Sequence, residues 1–263
     1  TAQEQLADAK RAYLRGDYPK AIGDCQRALS TDSNLTEAIG LAGACQVKMG
    51  QYGEAEQLHQ RQLEIAGRLN DPRLLVESHA SVGAMNYFRG DFDAALLSYQ
   101  TALDIAKRNS LSSEVGKISN NLGFTLYQLN RKAEAETAYR MAIDTHKANG
   151  ALVSLIGPYN GLGNVLRDQD NLEDAISHHR RALSLAQESD DQVNAGICFV
   201  YLGKCAGAQG RLAEAKQNLA SALNLLEETT FWNGLARVYD SMTELNLRLG
   251  DWAEASRCAD KKI

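Results

Sequence analysis

The sequence predicts an all-α protein that is built from about seven similar helix pairs, on three observations. The 263 residues include 37 alanines and only 3 prolines, and alanine is the best helix former and proline the worst. Apolar residues recur at spacings of three and four, as at Leu122 and Leu126, which is a helical period rather than the alternation of a strand. Small residues also recur in register along almost the whole chain, which indicates a repeat protein.

Three columns of small residues define the repeat. A residue that tolerates positive φ begins a turn in every unit, at Gly16, Gly50, Gly90, Asn130, Asp170, Gly210 and Gly250. Alanine follows five residues later, at Ala21, Ala55, Ala95, Ala135, Ala175, Ala215 and Ala255. Glycine precedes five of the turns by seven residues, at Gly43, Gly83, Gly123, Gly163 and Gly203. Each unit is therefore helix A, a turn and helix B, and the units must stack because one helix pair cannot bury its apolar face alone.

The columns of the third unit resemble the consensus of the tetratricopeptide repeat (TPR), at Gly83, Gly90, Asp91, Phe92, Ala95, Tyr99 and Ala102. This resemblance implies a right-handed α-solenoid whose concave groove is lined by the A helices. The first step between turns is 34 residues and the other five are 40, so the helices should be longer by about a turn or the loops extended. Repeats of this length are similar to those of spindle-orientation adaptors, kinesin light chain and sensor segments of bacterial regulators.

The repeat register also predicts how the chain is divided. We expect one superhelical domain over 1–263, and its units lie at about 2–35, 36–75, 76–115, 116–155, 156–195, 196–235 and an incomplete 236–263. The unfinished last unit suggests a fragment of a longer, multidomain protein. Pro158 leaves two alternatives open: it lies in the first turn of a helix that begins at Ile156 or Gly157, or it kinks a helix that begins near Leu152.

The resemblance implies that a ligand meets one face of each A helix. Read in register, this face gives the candidate groove residues Tyr87, Lys117, Asn120, Asn121, Phe124, Tyr127, Asn160, Asn164, Arg167, Tyr201, Lys204 and Arg237. In the first three units the same face also includes Lys10, Tyr13, Glu37, Lys48, Glu77, Ser81 and Phe88.

Four of these candidates are asparagines on two adjacent helices, although asparagine is a mediocre helix former. A carboxamide offers both a donor and an acceptor, which suits it to the main chain of an extended peptide. The aromatic residues could form apolar walls with polar tips, and Arg167 and Lys204 could hold a carboxylate. Two plainer interpretations stay open: these side chains are merely solvated, or Asn120 and Asn160 bond to a neighbouring repeat.

Composition argues against several functional classes. The chain has 28 basic and 33 acidic residues, without the basic excess that nucleic-acid binding requires. No apolar run approaches the ~20 residues of a membrane span. The 5 cysteines include no C-x-x-C pair, so we expect neither disulfides nor zinc, and a reducing, cytoplasmic location. His178 and His179 are adjacent, whereas helical metal ligands are usually three or four residues apart, so no metal or other cofactor is expected.

The sequence therefore predicts a non-catalytic module that binds a peptide or protein segment in its groove. The alternative is a regulatory sensor segment of a larger signalling protein, which would bind a small molecule or a sister domain. Polar residues spread over several repeats would favour the first function, and polar groups that converge in one closed pocket would favour the second. Self-association is a further option, because an uncapped terminal repeat exposes apolar surface.

Overall fold

Helices form wherever the repeat places apolar residues at helical spacing. The computed structural model describes residues 1–227, 229 and 232–261, apart from the side chains of Trp232 and Asn233. These ranges contain no β-strand, and their elements are α1 (Ala2–Leu14), α2 (Tyr18–Thr31), α3 (Thr36–Lys48), α4 (Tyr52–Leu69), α5 (Pro72–Arg89), α6 (Phe92–Arg108), α7 (Ser112–Gln128), α8 (Lys132–Ala148), a 3₁₀ helix (Val153–Leu155), α9 (Ile156–Asp168), α10 (Leu172–Glu188), α11 (Gln192–Ala208), α12 (Leu212–Glu227), α13 (Trp232–Leu249) and α14 (Trp252–Asp260). Residues 262 and 263 of the predicted seventh unit lie outside these ranges.

The helices form two compact units, Thr1–Arg131 and Lys132–Ile263. We call these unit 1 and unit 2, and from here on each helix pair is called a repeat. The odd-numbered helices correspond to the predicted A helices and the even-numbered ones to the B helices. Within each unit, a helix packs on the next helix in sequence, and successive A helices also touch, as α3 and α5 do in unit 1 and α9 and α11 do in unit 2.

The turn between helices A and B follows the predicted pattern. Positive φ values occur at all seven predicted turn residues: Gly16, Gly50, Gly90, Asn130, Asp170, Gly210 and Gly250. In several turns an aspartate follows and caps the B helix, since the carboxylates of Asp17, Asp91 and Asp251 accept the backbone N–H three residues later. These two local signals end one helix and begin the next within a few residues.

A second column of positive φ lies in the turn between one repeat and the next. Its members, also 40 residues apart, are Asn70, Ser110, Gly150 and Asp190. Because this turn comes early, the A helices of the third, fourth and sixth repeats begin four residues before the predicted boundaries, at Pro72, Ser112 and Gln192. The seventh A helix, α13, begins at Trp232, which is also four residues early. The approximate unit boundaries predicted from the sequence thus lie about one turn inside these helices rather than before them.

The extra residues of the 40-residue repeat lengthen the helices. The helices α1, α2 and α3 have 13, 14 and 13 residues, whereas α4 and α5 have 18 each. In the fifth repeat the short 3₁₀ helix precedes α9, which begins at Ile156, so Pro158 lies in the first turn as the first alternative proposed.

The small-residue columns are contact points between backbones and rings. The alanine column is buried, with Ala21, Ala95 and Ala175 fully inaccessible. A Cβ atom at Gly83 would come 2.8 Å from the ring of Tyr99.

The five cysteines are also buried, as free thiols. Of the described helices, none combines the length and apolarity that crossing a membrane demands.

Candidate functional site

Half of the predicted candidates lie in unit 2, and two of them, Arg167 and Lys204, line a cavity of about 330 Å³ among α9, α11, α12 and α13. We call it the cationic pocket. Its lining is Arg167, Gly203, Lys204, Gly207, Ala208, Ala215, Leu219, Ser241, Glu244, Leu245 and Arg248. Leu219 and Leu245 are buried core residues that give it an apolar side, whereas three cationic side chains and one carboxylate give it a charged side.

The two guanidinium groups of the cationic pocket are held in place by neighbours. Arg167 donates to Asn164 Oδ1 (3.2 Å) and, through Nε and Nη2, to Asp168 Oδ1 (3.2 and 2.8 Å). Arg248 donates to Glu244 Oε1 (2.8 Å) and to the carbonyl oxygen of Gly207 (3.1 Å). These bonds fix the planes of both groups, and a fixed plane loses less freedom when it binds an anion.

Lys204 differs from both arginines, because within the described ranges its ammonium forms no ion pair with a carboxylate. Burial lowers the pKa of Lys204, and the positive charges of Arg167 and Arg237 lower it further, while Glu244 and Asp240 partly oppose this. A half-buried cation among other cations raises the free energy of the site, which an anion would lower. The pocket can therefore bind a negatively charged group beside an apolar one.

Behind the pocket, a network centred on His179 positions further candidates. The ring of His179 stacks on Tyr201, with centroids 5.0 Å apart, and its Nδ1 lies 3.0 Å from Asn160 Oδ1. Burial lowers the pKa of His179 to about 3, so the ring is neutral and its Nδ1–H donates to Asn160. The guanidinium of Arg237 lies 4.9 Å from the Tyr201 ring centroid and donates to the Tyr201 hydroxyl.

The structure corrects the role expected for Asn160. Its side chain is 5% exposed, and its amide nitrogen donates to the sulfur of Cys198 (3.2 Å) while its oxygen accepts from His179. Both ends of the carboxamide are thus used inside the fold, so it is not available to grip a peptide main chain. This is the plainer interpretation that the sequence left open. Tyr201 is also buried, at 8% exposed, and supports Arg237 rather than forming an open wall.

The other candidates lie in unit 1, on α5 and α7. Lys117 is exposed, whereas Asn120, Asn121, Phe124 and Tyr127 are half-buried. The Asn120 oxygen is buried, and the described residues provide no hydrogen-bond partner for it. Tyr87 accepts a hydrogen bond from Gln128 (3.2 Å) and contacts the rings of Phe88 and Phe92. A role in binding stays a prediction for this group.

A smaller cavity of about 170 Å³ lies in unit 1 and is lined by Tyr13, Ala44, Val47, Lys48, His59, Ser81, Ala84, Met85 and Phe88. We call it the aromatic pocket. The sequence analysis placed Tyr13, Lys48, Ser81 and Phe88 on the same predicted face as the candidate groove residues but did not include them among the candidates. Their positions in the sequence could have indicated the pocket, because Tyr13, Lys48 and Phe88 each precede a turn glycine by two or three residues. Among the described residues, no group of three or more His, Cys, Asp or Glu side chains is arranged to bind a metal.

Comparisons with known proteins agree with this architecture. BtubC (BKLC) from P. vanneervenii is 26% identical, with a TM-score of 0.67, over 86% of this chain and 91% of that one. The signal-transduction ATPase with a tetratricopeptide repeat sensor from Pyrococcus horikoshii is 18% identical, with a TM-score of 0.73, over 98% of this chain and 41% of that one. The Rap conjugation gene regulator of plasmid pLS20, solved in complex with the Phr* peptide, is 20% identical, with a TM-score of 0.78, over 98% of this chain and 71% of that one.

No curated protein sequence matches the chain. One family model for the tetratricopeptide repeat matches residues 36–108 and 155–228, and a second matches residues 117–148. Together these segments cover most of the chain: the first model includes helices α3 to α6 and α9 to α12, and the second includes α8 and most of α7. The fold is accordingly an all-α solenoid of TPR-type helix pairs, and the chain belongs to the tetratricopeptide repeat family.

Proposed function

We propose that the chain is a non-catalytic protein-interaction module that binds a peptide or protein segment along its A helices, in the groove that the family resemblance implies. The observation that carries this proposal is the cationic pocket, in which Lys204 lies among guanidinium groups without a carboxylate partner in the described ranges. An acidic group of the partner would occupy the pocket, and an adjacent apolar group would pack on Leu219 and Leu245.

The chemistry of the pocket supports binding rather than catalysis. Arg167 presents a guanidinium that Asn164 and Asp168 already orient, and charge-assisted hydrogen bonds to a carboxylate are about twice as strong as neutral ones. Among the described residues, neither a cysteine nor a histidine lines the pocket, and the hydroxyl of Ser241 donates to the Arg237 carbonyl (2.8 Å). The Rap regulator, which has a similar fold, was solved with a bound peptide, which supports a peptide as the ligand. We also propose a cytoplasmic location, in keeping with five free thiols.

The proposal is tested by partner capture with two charge-matched variants. Arg167→Gln/Lys204→Gln removes two cations from the pocket, and Arg180→Gln/Lys216→Gln removes two exposed cations from the B helices α10 and α12. Both are compared with the wild type for capture from the source lysate and for binding to arrays of acidic peptides. We expect only the first variant to lose its partner, by about tenfold or more. Equal capture by all three proteins would refute a role of the pocket.

A second function is favoured by the convergence of polar groups in one cavity. The cationic pocket, at about 330 Å³, lies within the range of small-molecule sites, roughly 300–1,000 Å³. A regulatory sensor that takes part in signal transduction would bind an anionic metabolite there. A thermal-shift screen of anionic metabolites tests this: a hit must stabilise the wild type and the Arg180→Gln/Lys216→Gln variant, but not Arg167→Gln/Lys204→Gln. Sedimentation velocity of the same samples tests self-association.

A further inference from the structure

We propose that the aromatic pocket of unit 1 binds an aromatic side chain of a peptide partner, with a carboxylate beside that ring on Lys48. This inference deepens the proposed function and rests on it, because it names the chemistry of a second anchor on the A helices. It concerns unit 1 alone, whereas the cationic pocket belongs to unit 2.

The size and lining of the pocket fit an aromatic ring. Its volume of about 170 Å³ is close to that of an apolar cavity of about 150 Å³ that binds benzene. Val47 and Met85 are buried beneath it, and a methionine sulfur makes favourable contacts with rings. Phe88 is 51% exposed, so part of its ring is accessible to an incoming ring.

The exposed position of Phe88 is held by the fold. The hydroxyl of Tyr52 donates to the Phe88 carbonyl oxygen (2.9 Å), which fixes the backbone at the end of α5. The ring of Phe88 also contacts Tyr87 edge-on, with centroids 5.7 Å apart. Because neighbours define its position, the pocket exists before a ligand arrives, and binding does not require that this wall be ordered first.

The polar groups at the pocket indicate what lies beside the ring of the ligand. Lys48 Nζ lies 4.4 Å from the Phe88 ring centroid and forms no ion pair among the residues that the structure describes. Lys10, on the same face, is already paired with Glu37. A carboxylate next to the aromatic side chain would complement Lys48, which lies over the apolar surface where the ring would bind.

Two hydroxyl groups complete the pocket. Within the described ranges, neither Tyr13 nor Ser81 uses its hydroxyl in a hydrogen bond, although both side chains are half-buried. A hydroxyl can donate to a carbonyl or accept from an amide. These two groups therefore suit the main chain of a peptide, and a simple hydrocarbon would leave them without partners.

The test uses the dipeptide acetyl-Phe-Asp-amide as the probe, with acetyl-Ala-Asp-amide and acetyl-Phe-Asn-amide as controls. The chain is labelled with ¹³C at the methyl groups of its 4 methionines. Met85 lines the aromatic pocket, and Met242 is a half-buried residue that packs against the core of unit 2. We expect a saturable shift of the Met85 signal, a constant Met242 signal, and affinity for Phe-Asp about fivefold or more above that for either control.

Three variants sharpen the test. Phe88→Ala should weaken binding of Phe-Asp about tenfold, and Lys48→Gln should abolish the preference for Asp over Asn. Both residues are exposed, so circular dichroism should show an unchanged fold. Leu97→Ala removes an exposed apolar side chain from the B helix α6 of the same unit and should leave binding unchanged.

The outcomes separate this inference from the proposed function. No shift of Met85, or equal binding of Ala-Asp and Phe-Asp, overturns the aromatic site. A shift of Met242 alone overturns it as well and leaves an anchor in unit 2. If Phe88→Ala changes the sedimentation of the free chain, a second copy occupies the pocket, and the inference is wrong. If Phe-Asp binds as expected while Arg167→Gln/Lys204→Gln captures every partner, the cationic pocket fails and the aromatic site stands.

Discussion

The ring of His179 lies so close to the backbone of Gly163 that a Cβ atom there would come within 2.6 Å of the ring carbon Cε1. The same relationship joins Gly83 and Tyr99 in the third repeat, at 2.8 Å. Each ring from a B helix fills the space that a missing Cβ leaves on the A helix of its own repeat. The glycine column is therefore a packing requirement, which recurs although the ring changes from tyrosine to histidine.

Replacing Gly163 by alanine should destabilise unit 2. The added methyl group collides with a fully buried ring, and overpacking of this kind costs about 1–3 kcal/mol. The control is Gly207→Ala on α11, where a Cβ would meet only Ala215, at 4.0 Å. Because alanine is the better helix former, this control should be neutral or stabilising by up to about 1 kcal/mol. Urea unfolding of both variants measures the difference, and equal stabilities would contradict the packing role.

Asn160→Ala should destabilise the chain, whereas Asn121→Ala should not. The first change leaves the buried Nδ1–H of His179 without its acceptor, which costs about 1–3 kcal/mol. Asn121 is half-buried, and the described residues give its side chain no hydrogen bond. The effects on partner binding in the capture experiment should be the opposite of those on stability: Asn121→Ala should weaken binding more than Asn160→Ala does. Equal unfolding midpoints for the two variants would contradict the structural role of Asn160.

Lys204→Met should raise stability and weaken partner capture. Burial and neighbouring cations lower the pKa of Lys204, so the charged form costs free energy in the folded state at neutral pH. Removing that charge should stabilise the chain by about 0.5 kcal/mol, and the gain should shrink as the pH rises through the lowered pKa and the wild-type lysine loses its proton. The control Lys216→Met, at an exposed position, should change neither property. Thermal unfolding and capture assays measure both, and a destabilised Lys204→Met variant would speak against this account.

Stability should fall in mild acid, and His179 should account for part of the loss. The pKa of His179 is lowered from 6.5 to about 3 in the folded chain, chiefly by burial and next by Arg167 and His178. Between these values the unfolded chain binds more protons, so the free energy of unfolding is full above about pH 6.5 and decreases as the pH falls towards 3. His179→Gln should be less stable at pH 7 but should lose less stability on acidification. Parallel urea titrations measure this, and identical pH slopes would rule out His179.

The sequence predicted the repeat well because its signals are local. A turn needs a residue with positive φ, and a close approach of helices needs a small one, so both leave a mark at a fixed position. The second turn was missed because Asn70, Ser110 and Asp190, rather than glycine alone, adopt positive φ there. The helix starts at Pro72 and Ser112 were misplaced for the same reason.

The candidate site was predicted less completely. Arg167 and Lys204 could be found, since the repeat register fixes the face of the A helix on which they lie. The role of Asn160 could not, because its partners lie 19 and 38 residues away, at His179 and Cys198. The sequence of one helix determines which face a residue lies on. Whether that residue is buried depends on the side chains of neighbouring helices, which the sequence of that helix does not show. The aromatic pocket was missed because it joins residues from three A helices and one B helix.

The packing order of the helices also has a kinetic consequence. Within each unit, every substantial helix contact joins helices that are adjacent in sequence or one helix apart. Folding therefore needs only short loops to close, and proteins with such low contact order fold in microseconds to milliseconds. Nucleation can begin at any helix pair and spread to its neighbours. A chain of this kind can lose one repeat while its neighbours stay folded, so a partner that spans several repeats would also hold them together.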